Sequence, residues 1–257
     1  MSQLQKRIQK LQRRDGPAIG FGRVSREQPR AMALIATARN AAEVQAALAA
    51  EADAVVVDAG NAAGAVASMQ GIASDKLAIG ALLGSLSEAD AGVLRDAKCD
   101  FVISPLDTTD SAAVDTEKIG QAVVATLEME DNTLRALAPL GLDGLYVERG
   151  GGAMTLGQQL GLVRLASFAS TGLIVTVEVG ASVGELRVLR DSGTVAVAAP
   201  AGTSAEASRR SATRLKRCRP RGRTSAKVPT SRWCPPRKTA TKAKSTKKRN
   251  SYATGCG

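Results

Sequence analysis

Residues 172–200 read GLIVTVEVGASVGELRVLRDSGTVAVAAP. Two largely apolar, β-branched runs, GLIVTVEV (172–179) and TVAVAAP (194–200), flank SVGELRVLRDSG (182–193), whose leucines and valines recur at helical spacing. Ser182 stands where an N-cap belongs, and Gly193 where a helix C-cap glycine belongs. A strand apolar on both faces has both faces covered, which is the condition of a parallel strand under crossover helices.

The same unit recurs upstream. Strands are expected at 32–38, 53–59, 76–83, 100–105, 121–128 and 143–148, with helices at 40–52, 61–73, 86–97, 131–141 and 155–169. Asn40, Asn61 and Ser87 supply N-caps, and Gly141 a C-cap. Only the link 106–120 is poorly helical. Eight units in series predict an α/β fold, a compact (β/α)8 TIM-like barrel. The alternative is an open doubly wound parallel sheet, because residues 31–207 are few for a barrel.

Charge divides the chain. Residues 1–207 carry 18 Lys+Arg and 24 Asp+Glu, so 18 − 24 = −6; residues 208–257 carry 17 Lys+Arg and no acid, so +17. The expected organisation is an N-terminal helix and loop at 1–30, a barrel domain at 31–207, and a disordered, compositionally biased basic tail at 208–257. Leu4, Ile8 and Leu11 fall on one face of the N-terminal helix with basic residues elsewhere, which suits a segment packed on the body or, alternatively, a membrane-surface or nucleic-acid helix. The tail has two readings. One is a genuine arm for nucleic acid, with Trp233 and Tyr252 able to stack on bases. The other is a shifted reading frame replacing an acidic C-terminus, since neighbouring codon parts can spell helix, strand and acidic run in order. In that case the last helix, expected from Thr203 or Ser204, loses its apolar stripe and leaves a strand flank uncovered.

Cys218, Cys234 and Cys256 lie in that basic stretch without metal-like spacing, and Cys99 reads as a core residue. No disulfide framework, apolar membrane span or secretory h-region is read, so the expected location is cytoplasmic.

In a barrel, chemistry sits at the C-terminal strand ends. Polar candidates there include Thr37, Arg39, Ser104 and Asp107. Asp58, Glu128, Glu148 and Glu178 are the candidate catalytic residues; gathered together, they shift one another's pKa or hold a cation. Asp58, Glu128 and Glu178 are the candidate ligands for Mg²⁺. Pairing with Arg39 and Arg149, or capping of the next helix, is the competing structural reading. Gly180 and Ser182 after strand seven, and Gly202, Thr203 and Ser204 after strand eight, form candidate anion-binding loops at helix N-termini. The Gly150–Gly152 run reads as a lid or a flexible link. With no His in the chain, there is no histidine base, Ser–His triad or His-ligated metal. No strand-end Lys supports Schiff-base chemistry. No P-loop or dinucleotide fingerprint follows a first strand.

The eight-unit pattern, GFGR (20–23) and the series DFVISP, VVATLE and DGLYVE resemble bacterial TIM-barrel proteins of unassigned activity, over roughly residues 18–207. More distantly the pattern is similar to phosphate-binding (β/α)8 barrels such as the thiamine-phosphate-synthase-like group. That resemblance implies the fold and an anion site, not an activity. Three functions stay open: a binder or enzyme for a small phosphorylated or carboxylated metabolite, a non-catalytic scaffold, and a nucleic-acid binder acting through the basic tail.

Overall fold

The computed structural model describes residues 2–12, 31–50, 52–70 and 77–218. Eight parallel strands close into a barrel in chain order: β1 (Ala33–Ala38), β2 (Ala54–Gly60), β3 (Ala78–Leu83), β4 (Phe101–Pro105), β5 (Gly120–Val124), β6 (Gly144–Val147), β7 (Leu173–Thr176) and β8 (Thr194–Ala199). β8 pairs with β1, so no strand edge is left and the open doubly wound alternative is excluded. Helices α2 (Ala41–Ala49), α3 (Ala62–Met69), α4 (Glu88–Asp96), α5 (Asp131–Leu137), α6 (Leu156–Ala169), α7 (Val183–Asp191) and α8 (Ala205–Arg217) follow the strands.

The caps explain where the helices start. Asn40, Asn61, Ser87, Thr155, Ser182 and Ser204 each accept a backbone N–H three residues on. The link 106–120 forms only a single turn of 3-10 helix, Ser111–Ala113. It covers a polar patch: the buried Gln121 donates to Ser104 Oγ (2.8 Å), and Thr109 also reaches that hydroxyl. Ser104 therefore faces outward between β4 and β5, away from the barrel mouth.

Strand parity divides the core. Outward residues such as Leu34, Val57, Val102, Leu145 and Val197 pack under the helices. The interior is lined by small residues (Ala33, Ala54, Ala78, Ala122, Ala196, Ala198) around Phe101, Ile103, Tyr146 and Ile174. Small interior residues let a short chain close an eight-stranded ring without overfilling it. Helix α1 (Gln3–Gln12) closes the floor, with Leu4 and Ile8 buried in that interior cluster. The N-terminal helix is thus part of the barrel's core.

At the floor a second regularity appears. Asp53, Asp100 and Asp143 each precede an even-numbered strand. The carboxylate of Asp53 accepts the amide of Leu34, and that of Asp100 accepts the amide of Ile79 (2.9 and 3.0 Å). Each thereby ties β2 or β4 to the strand before it.

The boundary expected at 207/208 falls inside α8. Ser208, Ala212, Leu215 and Cys218 are buried, and the last three join the core beneath α7, β1 and β8. Their spacing of four, three and three residues keeps one helix face inward. The flank expected to be uncovered is therefore covered, by a narrow stripe of mostly small residues. The helix ends at Arg217, with Cys218 as its C-cap. The basic stretch from 219 onward, with Trp233, Cys234, Tyr252 and Cys256, lies outside the described residues. Cys99 is a core residue as read; burial pushes its thiol up to about 12. Among the described residues no helix is long and apolar enough to cross a membrane.

Candidate functional site

At the C-terminal mouth, Asp58 ends the inward face of β2 and lies 3.8 Å from Arg39, just past β1. Both side chains are substantially exposed, so the pair is a weak clamp. Across the interior, Tyr146 of β6 is 3% exposed. Burial raises its phenol to about 12, and the negative charges of Glu148 and then Asp58 add to the shift. Asp58 and Glu148, whose charges both act on this phenol, are the part of the expected carboxylate cluster that the fold brings near one interior group.

The rest of that cluster does not assemble. β5 ends at Val124, so Thr126 and Glu128 share no strand face; they are exposed in the turn toward α5. The neighbouring carbonyls of Leu127 and Met129 are instead tied down by Arg164, which also pairs with Asp131. β7 likewise ends at Thr176, and the Glu178 side chain lies against the backbone of Gly151, where a Cβ would collide with it. Among the described residues no three Asp, Glu or Cys side chains stand close enough to hold a metal ion. The expected Mg²⁺ ligands Asp58, Glu128 and Glu178 are therefore not gathered into a site.

The two loops read as anion-binding do lead into helix N-termini. Gly180 (φ 111°) precedes α7 and Gly202 (φ 75°) precedes α8, both in the left-handed region that glycine tolerates. Their polar groups already have partners. Ser182 and Ser204 cap their helices, and the Thr203 hydroxyl donates to the Pro200 carbonyl. The Gly202 amide donates to Glu43 of α2 at 3.4 Å, and the same carboxylate oxygen accepts the Arg39 amide at 2.9 Å. A carboxylate thus stands where an incoming anion would meet the α8 loop.

Beside these loops sits Arg149, with a side chain only 4% exposed. It pairs with Glu185 of α7, donates to the Gly152 carbonyl at 2.9 Å, and leaves its buried Nε without a partner. Its own amide donates to Thr176 Oγ1 at 2.7 Å. Arg149 therefore pins the Gly150–Gly152 run to the β6–β7 edge and to α7. Sequence reading paired it with a strand-end carboxylate. Its partner comes from the next helix, 36 positions on, a distance local patterns do not encode. Glu43 and Tyr146 were missed for a related reason: one reads as a first-turn helix acid and the other as a strand aromatic.

No protein-family model matches the chain, and no curated sequence does. Solved structures do match. KGPDC from Streptococcus mutans superposes with a TM-score of 0.57 at 14% identity, over 73% of this chain and 98% of that one. Phosphoribosyl anthranilate isomerase from Thermus thermophilus gives 0.53 at 15%, over 73% and 100%. A variant of the tryptophan synthase alpha-subunit from Pyrococcus furiosus gives 0.54 at 11%, over 74% and 98%. The chain is a TIM barrel. At such identities the likeness is one of fold, and the chemistry has to be argued from this barrel's own mouth.

Proposed function

We propose that the C-terminal mouth of the barrel binds a small phosphorylated or carboxylated metabolite. The observation that carries the reading is Tyr146, a buried phenol on the interior face beside Asp58 and Glu148. Packing alone asks for no hydroxyl there. A phenol raised to about 12 keeps its proton at neutral pH and donates a hydrogen bond to a ligand oxygen. Asp58 and Glu148 accept from ligand hydroxyls, and either is placed to exchange a proton with a bound carbon acid. The α7 and α8 N-termini, behind Gly180 with Ser182 and Gly202 with Thr203 and Ser204, suit the anionic end of the ligand. The name of one structural neighbour, phosphoribosyl anthranilate isomerase, points to the same ligand class. Glu128 and Glu178 are given no role in this reading, and no step is assigned to Mg²⁺.

A scaffold without catalysis is the second reading, favoured by one observation: the Gly202 amide and both helix-cap hydroxyls are already bonded within the protein, and Arg149 is already paired with Glu185. Thermal shift separates the two. Inorganic phosphate, sugar phosphates and hydroxycarboxylates are titrated against the wild type, Glu43→Gln and Tyr146→Phe. A ligand at about 100 times its Kd adds about 2.7 kcal/mol of stability. Glu43→Gln is expected to tighten binding of the anionic end by removing a like charge. Tyr146→Phe is expected to weaken binding about tenfold, the worth of one hydrogen bond. A melting temperature indifferent to every ligand in all three proteins sinks the metabolite reading and leaves the scaffold.

A further inference from the structure

Helix α8 carries a face that neither the fold nor the barrel mouth uses. Arg210, Arg214 and Arg217 stand at i, i+4 and i+7 and share one stripe, with Arg209 beside it. With Thr213 and Glu206 they line a shallow groove of about 320 Å³. Two of these guanidiniums are fixed by neutral partners: Arg209 donates to the Ala49 carbonyl (3.1 and 2.8 Å) and Arg214 to the Ala181 carbonyl (2.8 Å). A carbonyl holds the side chain in place without cancelling its charge. Among the described residues only Arg210 has a carboxylate partner, the exposed Glu206 one turn back. The groove thus holds four cations and one acid, 4 − 1 = +3. The chain before it is net acidic, so this face is a local exception and not a property of the whole surface.

We infer that the outer face of α8 binds the sugar–phosphate backbone of nucleic acid without reading bases. Seven residues of helix advance about 10 Å, and strand phosphates recur about every 3.4 Å along the axis. The Arg210–Arg217 stripe therefore spans about three phosphates of one strand. Arginine forks match phosphate oxygens in pairs. No aromatic side chain lines the groove, so no stacking platform selects bases. An anionic membrane is the poorer fit, because the apolar residues of α8 (Ala212, Leu215) point into the core and leave none to insert. The sequence then continues through 219–257 with 17 − 5 = 12 further Lys+Arg and no acid.

The test uses the full chain and a labelled 20-nucleotide single strand, followed by fluorescence anisotropy between about 50 and 300 mM NaCl. Affinity is expected to fall linearly in log–log form with salt. The double variant Arg210→Gln/Arg217→Gln changes two exposed side chains and should leave the melting curve intact. Losing two phosphate contacts at about 0.7 each lowers the salt slope by about 1.4, which is about 25-fold in affinity at 0.1 M salt. Glu206→Gln should tighten binding. Lys118→Gln/Arg135→Gln removes the same charge elsewhere on the barrel and should change affinity less than twofold. Equal weakening by both double variants means bulk charge alone and overturns the site. An unchanged affinity in Arg210→Gln/Arg217→Gln places all binding in 219–257 and overturns it as well. Tighter capture by phosphatidylserine vesicles than by the oligonucleotide overturns the assignment of ligand.

Discussion

The barrel interior sets a quantitative test in Gly80→Ala. Gly80 on β3 is registered directly against Phe101 on β4, both facing inward. A Cβ on Gly80 would stand 2.7 Å from Phe101 Cδ2 and nearer still to Cε2 and Cζ. Ordinary carbon contacts begin near 3.5 Å, so the ring must retreat by about 1 Å. It has no room, being fully buried among Leu4, Ala78, Ile103 and Ala122. The expected cost is the upper end of the overpacking range, about 2–3 kcal/mol. Phe101→Leu alone removes about two methylene equivalents, about 1.5 kcal/mol. Independent effects would sum to about 4 kcal/mol. If the two side chains compete for one space, Leu yields it to the new methyl, and the double variant costs only about 1.5–2 kcal/mol. Urea unfolding of the four proteins gives the coupling energy. A coupling within about 0.5 kcal/mol of zero would show that Gly80 and Phe101 do not share one packed layer, and the inward parity assigned to β3 and β4 would fall with it.

Two further outcomes are expected. Leu215→Ala on α8 should cost about 2–5 kcal/mol, since Leu215 is fully buried beneath α7 and β1; an urea midpoint equal to wild type would mean that α8 is not packed on the barrel. Asp143→Asn should stabilise the fold at pH 7 by about 1 kcal/mol, a melting rise of about 2–4 °C, because Asp143 Oδ2 is buried without a hydrogen-bond partner. Burial raises the Asp143 carboxyl above its ordinary value, against a lowering hydrogen bond from Ser2. The folded state then binds that proton more readily than the unfolded chain, so its contribution is fully present in acid and is lost as pH rises through the raised pKa. The advantage of Asp143→Asn should accordingly vanish below the ordinary carboxylate range. A gain that persists unchanged at pH 3 would refute the titration argument.

Sequence by itself determined the alternation of strands and helices, all eight strands, their order of appearance and most helix starts. These are local matters: an apolar run with β-branched residues extends, and an Asn or Ser before a periodic segment caps a helix wherever it is placed. The strand count favoured a closed ring, but closure itself, β8 on β1, is a long-range pairing that only the tertiary structure decided. So did the end of the body. The arginine-rich stretch after 207 carries a composition that reads as disordered, yet its four inward positions suffice to dock one helix when a barrel flank is waiting. The site was half legible. Asp58 and Glu148 follow from position at strand ends, whereas Glu128 and Glu178 were lost because β5 and β7 stop two or more residues earlier than their apolar runs suggest. The partners that matter, Glu43 at Gly202 and Glu185 at Arg149, meet across 159 and 36 positions. Such contacts are fixed by how helices lie against a closed ring, and nothing in the local order of residues records them.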